Sequence, residues 1–223
     1  MIKNSVSDRN WILSKFDENK VKKATQELGL SEVLCRLLAI RNVEADQSLD
    51  FLNPKIKNSM PNPFLLKSMD EAVKLIIKHI KEESQICIYG DYDVDGASST
   101  SILARFLRNF TSNFFIFIPD RIQDGYGPNL KIFEDIASRG VKLIITVDCG
   151  TTSFEPIEYA KSKNIDVVVI DHHQSTETLP KANAIVNPNR FDETSNLTYL
   201  CAAGVAFLVL SGICLLYTSP SPR

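Results

Sequence analysis

The spacing of apolar residues changes near residue 65. Upstream, Leu28, Leu30, Val33, Leu34, Leu37 and Leu38 recur at helical intervals, and Ser31 is suited to accept the first free amides of a helix. Polar residues fill the other faces, so residues 1–65 read as a small helical N-terminal region. Proline lacks an amide hydrogen and fixes its own φ, so Asn53-Pro54 and Met60-Pro61-Asn62-Pro63 call for a turn or linker. A domain boundary is expected near residue 65.

Beyond it, Met69, Ala72, Val73, Ile76, Ile77 and Ile80 form one stripe of an amphipathic helix ending near Glu83. Ser68-Met69-Asp70-Glu71 has the form of a capping box, in which serine and glutamate each satisfy a free backbone amide. Short apolar runs then predict strands at Ile86–Tyr89, Phe114–Ile118, Leu143–Val147, Val167–Ile170 and Ala184–Val186. Helical faces lie between them: Ile102, Leu103, Phe106, Leu107 and Phe110, then Ile132, Phe133, Ile136 and Ala137, then Ile157, Tyr159 and Ala160. Strands without a polar face, alternating with helices, must be covered on both sides. This predicts an α/β fold with a parallel sheet flanked by helices.

The stretch from Thr194 to Pro222 carries no charge, and Leu200–Tyr217 is largely apolar. Its length borders on a membrane span, but no basic flank sets an orientation. A buried helix is expected, and no membrane. The last residues, Cys214 to Arg223, differ in composition from the rest. Residues 213–223 read as a non-native tail, which leaves 66–212 as a C-terminally incomplete α/β domain.

Composition narrows the function. A chain of 223 residues with 44% hydrophobic and 23% charged residues buries a core and is neither a disordered tail nor a collagen-like fibre. With 25 Lys+Arg against 27 Asp+Glu it is not a basic nucleic-acid clamp. Nucleic acid would have to be gripped by local charge or bound metal. Cys35, Cys87, Cys149, Cys201 and Cys214 are odd in number and widely spaced, and the N-terminus has no apolar signal core. A reducing, cytoplasmic location is expected, with each cysteine a small buried residue.

The acids follow the strands. Gly90-Asp91-Tyr92-Asp93-Val94-Asp95-Gly96 comes after the first, Pro119-Asp120-Arg121 after the second, Asp148-Cys149-Gly150 after the third and Asp171-His172-His173 after the fourth. In a parallel sheet these ends share one edge, where such folds build their sites. Carboxylates gathered there repel one another and call for a divalent cation, and Asp and His ligands suit Mn²⁺ or Mg²⁺. Two such ions are the usual arrangement for phosphate-ester hydrolysis: one acidifies a water and both stabilise charge on the phosphate. Asp91, Asp93 and Asp95 could aim to one side if their segment stays extended, with Gly90 and Gly96 allowing close backbone approach. Single acids after strands also serve as helix caps and turn residues, the reading given to Asp120 and Asp124. His79, on a lysine-rich helix, is expected at the surface, and Cys149 is expected to pack beside the site.

These residues carry a resemblance. Tyr89-Gly-Asp-Tyr-Asp-Val-Asp-Gly96, Arg121-Ile-Gln-Asp-Gly-Tyr-Gly127, Val147-Asp-Cys-Gly150 and Asp171-His-His173 are similar, in order and spacing, to the motifs of the DHH phosphoesterase superfamily. Within it they most resemble the RecJ family of bacterial single-stranded-DNA-specific exonucleases. Ala39-Ile-Arg-Asn-Val, Phe51-Leu-Asn-Pro54, Asn187-Pro-Asn-Arg190 and Leu200-Cys-Ala-Ala-Gly-Val-Ala-Phe207 extend the likeness over roughly residues 10–212.

The resemblance implies a metal-dependent 5′→3′ exonuclease on single-stranded DNA in repair and recombination. It implies Asp93 on one Mn²⁺ or Mg²⁺ ion, Asp95 and His172 on the other, and Asp148 bridging the two. His173 would face the scissile phosphate, Arg121 would contact phosphate with its planar fork, and Asp171 would orient the imidazoles. Many members have a metal-binding histidine where this chain has Tyr89, and Asp91 could compensate as a catalytic-site acid. Family members carry a further metal-binding Asp after the Gly-Val-Ala-Phe segment and then a second, Gly-rich domain. Neither occurs before Arg223. The alternatives are another superfamily hydrolase acting on short oligonucleotides, cyclic dinucleotides or pyrophosphate, and a non-catalytic metal- or nucleic-acid-binding remnant. A phosphoacceptor receiver domain ranks last, since it needs neither the histidine pair nor the Gly-Tyr-Gly segment.

Overall fold

The computed structural model describes Arg9 and residues 12–217. The chain divides between Pro61 and Asn62 into two units. In the first, α1 (Glu18–Leu28) begins at Asp17, whose carboxylate accepts the Asn19 and Lys20 amides, and stops at Gly29, where φ is 64°. α2 (Glu32–Ile40) starts where the sequence suggested, with the Ser31 hydroxyl accepting the Leu34 amide at 3.4 Å. α3 (Ala45–Leu52) and the short α4 (Ile56–Ser59) follow, and Val21, Ala24 and Cys35 form a small core.

The second unit opens with a 3₁₀ turn at Pro63–Leu65 and α5 (Met69–Lys81). Ser68 does not close the expected capping box. Its φ of 60° is left-handed, whereas a capping residue needs extended backbone to turn its hydroxyl onto the helix amides. The hydroxyl instead accepts from Arg190 Nη1 at 3.1 Å.

Five strands follow: β1 (Ile86–Tyr89), β2 (Phe114–Phe117), β3 (Leu143–Val147), β4 (Asp166–Ile170) and β5 (Ala184–Val186). All pair in parallel, in the order β2-β1-β3-β4-β5. Between and after them run α6 (Val94–Leu107), α7 (Leu130–Ser138), α8 (Phe154–Ser162) and α9 (Ala202–Tyr217). Successive strand residues face opposite sides, so one apolar run feeds two cores. Ile86, Ile88, Ile145 and Val168 pack with α5, α6 and α9, while Cys87, Tyr89, Ile144 and Val167 pack with α7 and α8. The parallel sheet flanked by helices is therefore the observed fold.

The uncharged run is α9, a helix of 16 residues that buries Val205, Ala206, Val209 and Ile213 against this core. Burying each of the two valines and the isoleucine contributes roughly 1.5–3 kcal/mol, and the alanine less. Among the described residues no helix is long and apolar enough to cross a membrane. The helix continues past residue 212 to Tyr217 without a break, and residues 218–223 of the expected tail lie outside the described residues.

Two expectations are corrected. Cys35, Cys87 and Cys149 are buried, but Cys201 and Cys214 are exposed, one preceding α9 and the other on its outward side. His79 is not at the surface: it is 4% exposed, and Nε2 lies 2.9 Å from Asp166 Oδ2 at the start of β4. Its position one step beyond the apolar stripe turns the ring inward, and the carboxylate that makes this tolerable is 87 residues away.

The strand order locates the crevice. From β1 the chain goes outward to β2, then returns to β3 on the other side. The loops leaving β1 and β3 at their carboxyl ends therefore diverge, the place where open α/β sheets bind ligands. Those loops begin Gly90-Asp91 and Asp148-Cys149.

Candidate metal centre

Asp91 follows β1 directly and is buried, with Oδ1 receiving no hydrogen bond. Burial pushes its carboxyl above the ordinary value, against the opposing pull of the Tyr92 amide. Gly96 permits this turn, since a Cβ there would stand 2.6 Å from Asp91 Cβ, and one on Gly90 would stand 2.2 Å from Thr100 Oγ1.

The segment does not stay extended. Asp93 caps α6, accepting the Gly96 amide at 2.9 Å, a bond that holds its carboxyl below the ordinary value. Asp95 stands in the first turn, and its two oxygens accept the Ala202 and Ala203 amides at 2.7 and 2.8 Å. The start of α9 is thus fastened to the start of α6.

Asp148 sits across the crevice at φ 63°, a left-handed conformation that costs a non-glycine residue about 1–3 kcal/mol and persists where the surroundings enforce it. It is 1% exposed. Burial first, then Asp95 and Asp93 nearby, push its carboxyl up to about 8. His172 Nε2 lies 3.3 Å from Asp148 Oδ1 and 3.5 Å from Asp95 Oδ2.

Asp171 organises the histidines. Its Oδ1 accepts the His172 amide at 2.7 Å, the His173 amide at 3.2 Å and pairs with His173 Nδ1 at 2.7 Å, while Oδ2 accepts the Thr151 amide at 3.1 Å. Burial alone would raise its carboxyl, but the His173 and Thr151 bonds outweigh it and hold it at about 2. The same pairing raises His173 above the ordinary histidine value.

Three supporting residues were not singled out by sequence reasoning. Asn187 Nδ2 donates to Thr151 Oγ1 and to the His173 carbonyl, each at 2.8 Å, and Asn189 Nδ2 donates to the His172 carbonyl. For the two asparagines the Asn187-Pro-Asn-Arg190 segment was the only signal, and for Tyr126 the Gly125-Tyr126-Gly127 segment. The Tyr126 hydroxyl lies 3.3 Å from His173 Nε2 and donates to the Asp148 carbonyl at 3.3 Å. Arg121 is exposed, its guanidinium 5.5 Å from the ring centroid of Tyr92 between Asp91 and Asp93. Asp120 and Asp124 shape the turn: Asp120 accepts the Ile122 and Gln123 amides, and Asp124 accepts the Asp120 amide. Tyr89 is buried and donates its hydroxyl to the Gly127 carbonyl.

Ligand atoms of Asp91, Asp93 and Asp148 lie within 4.8 Å of one another, and so do those of Asp148, His172 and His173. Asp148 belongs to both groups. Its Oδ1, like that of Asp91, is a buried acceptor to which no described residue donates, a state that costs free energy until something positive fills it. Carboxylates and imidazoles without a thiolate suit a hard divalent ion, and the Cys149 thiol is turned onto the Val147 carbonyl. The residues present fit a divalent metal.

Residues 85–220 match the DHH family, N-terminal domain. Over 202 residues the chain is 37% identical to the single-stranded-DNA-specific exonuclease RecJ of Bacillus subtilis, a match covering 90% of this chain and 26% of that protein. It resembles the crystal structure of an exonuclease RecJ bound to manganese (TM-score 0.63, 31% identity, 70% of this chain, 40% of that one). It also resembles RecJ of Thermus thermophilus in complex with Mn²⁺ (TM-score 0.73, 25% identity, 94% of this chain, 29% of that one). The chain spans well under half the length of these proteins. On the family match over the residues that build the sheet and its crevice, this chain belongs to the DHH family.

Proposed function

We propose that residues 66–212 form the metal-binding half of a 5′→3′ exonuclease on single-stranded DNA, working in the cytoplasm in repair and recombination. The RecJ likeness supports the substrate, and the odd number and wide spacing of the cysteines support the compartment. One observation carries the reading: Asp148, which keeps a buried, unfilled oxygen, is common to two ligand groups at the sheet's crevice.

Asp93 with Asp91, and His172 with Asp95, would hold Mn²⁺ or Mg²⁺ on either side of Asp148. Bound there, the ions supply Lewis-acid stabilisation of phosphate charge and a more acidic water. The chain's residues do the rest. Asp171 engages His173 Nδ1, which leaves Nε2 for the scissile phosphate. Arg121, exposed beside Tyr92, offers two parallel N–H donors to a phosphate. Asp171 and the asparagine side chains bonded to the His172 and His173 carbonyls fix where the imidazoles stand.

The test is turnover by the purified 223-residue chain on 5′-labelled single strands, duplexes, dinucleotides and cyclic dinucleotides with Mn²⁺. Loss of single-strand cleavage with EDTA and with His172→Ala is expected. Preference for dinucleotides or cyclic dinucleotides would replace the substrate, and no turnover on any substrate would replace the enzymatic reading.

A further inference from the structure

We propose that Tyr126 is a positioning residue for His173, held in place by the hydroxyl of Tyr89. The inference rests on reading His173 as the group that faces the scissile phosphate.

Packing does not explain where Tyr126 stands, since it is 57% exposed. It lies between Gly125 and Gly127, at φ 79° and 76°, a left-handed pair that glycine adopts without strain. The turn is anchored from the core. Tyr89 is fully buried at the end of β1, its ring stacked 5.5 Å from Phe117, and its hydroxyl donates to the Gly127 carbonyl at 2.9 Å.

From this anchor the Tyr126 ring meets His173 edge-on, with centroids 5.8 Å apart and planes at 70°. The hydroxyl stands 3.3 Å from Nε2 and 3.4 Å from Nδ1. Asp171 engages Nδ1 at 2.7 Å, and the hydroxyl, nearly equidistant from the two nitrogens, lies against the ring rather than along the Nε2 lone pair. A hydroxyl has one hydrogen, and the Asp148 carbonyl takes it, so Tyr126 steadies the ring by contact and leaves Nε2 to the phosphate. Asp171 alone would leave the ring free to pivot about a single bond; the Tyr126 contact against the ring fixes its plane. The hydroxyl's bond to the Asp148 carbonyl ties that plane to the crevice.

The test uses long-range ¹H–¹⁵N spectra of the imidazoles in the metal-free 223-residue chain at one pH. Tyr126→Phe should shift the His173 ring signals as the ring loses its fixed plane, and leave His79 unmoved. Tyr89→Phe should cause the same change to a smaller extent, and the double variant no more than Tyr126→Phe alone, since both act through one contact. Unchanged His173 signals in Tyr126→Phe would overturn the proposal. A change in Tyr126→Phe without one in Tyr89→Phe would overturn the anchor. With Mn²⁺ and single-stranded DNA, Tyr126→Phe should lower kcat about tenfold and leave KM within about twofold. A rise in KM alone would overturn positioning in favour of substrate contact. If the wild-type chain does not cleave DNA, the exonuclease reading falls and the ring spectra still decide the role of Tyr126.

Discussion

His173–Asp171 and His79–Asp166 are pairs of the same kind at opposite ends of one sheet. In each, an imidazole nitrogen meets a carboxylate, at 2.7 Å above the carboxyl ends of the strands and at 2.9 Å at the start of β4. Their surroundings differ. Asp166 gives its second oxygen to Asn183 Nδ2 at 2.7 Å, and the Asn183 side chain in turn accepts the Val167 amide, so the lower carboxylate is closed by neutral neighbours and only His79 Nδ1 is left buried without a partner among the described residues. Around the upper pair stand Asp91, Asp93, Asp95 and Asp148, with two of their oxygens buried and unfilled. A histidine–aspartate contact is therefore no mark of function. Surplus negative charge at a crevice is.

Breaking the pairs should separate activity from stability. The largest effect is expected from Asp148→Asn or His172→Ala, a loss of more than about a hundredfold in Mn²⁺-dependent cleavage, read by single-strand degradation. Next is Asp171→Asn, which keeps the shape but loses the charge that organises His173 and should cost about 10- to 100-fold in kcat. Below the sheet, His79→Leu should leave cleavage at low temperature near wild type and lower unfolding free energy by about 1–2 kcal/mol, seen in urea melts. Equal loss of activity there would erase the contrast.

The smallest effect concerns the metal-free chain and has the opposite sign. With its pKa pushed up to about 8 from an ordinary 3.8, folded Asp148 keeps a proton that the unfolded chain has released. Stability should therefore fall as pH rises from about 4 to about 8. Asp148→Asn should flatten that slope and raise Tm by a few degrees at pH 8, roughly 2–4 °C per kcal/mol. Asp171, held at about 2, works the other way: its contribution is present above pH 4 and is lost as pH falls through about 2. A steeper decline toward pH 8 in Asp148→Asn would contradict the assigned burial and repulsion.

Much of this was legible in the sequence. The strands are continuous apolar runs and needed no partner information, and the acids after them follow from where parallel strands end. What escaped depends on distant residues or local backbone. The burial of His79 is stable only because Asp166 meets it, and the Ser68 capping box fails because the local φ is left-handed. The alternation Asp91, Asp93, Asp95 suggested an extended strand, but α6 begins at Val94 and turns Asp95 onto the amides of α9. Asn187 and Asn189 act through single carbonyl contacts across the crevice, and no periodicity records such contacts.

Asp148, on this reading, is shared by two metal positions. Calorimetric titration of Mn²⁺ into the purified chain, wild type against Asp148→Asn, tests it most directly. Two bound ions are expected for the wild type, with both weakened together in the variant. Undiminished binding in Asp148→Asn, or loss of one ion with the other unaffected, would contradict it.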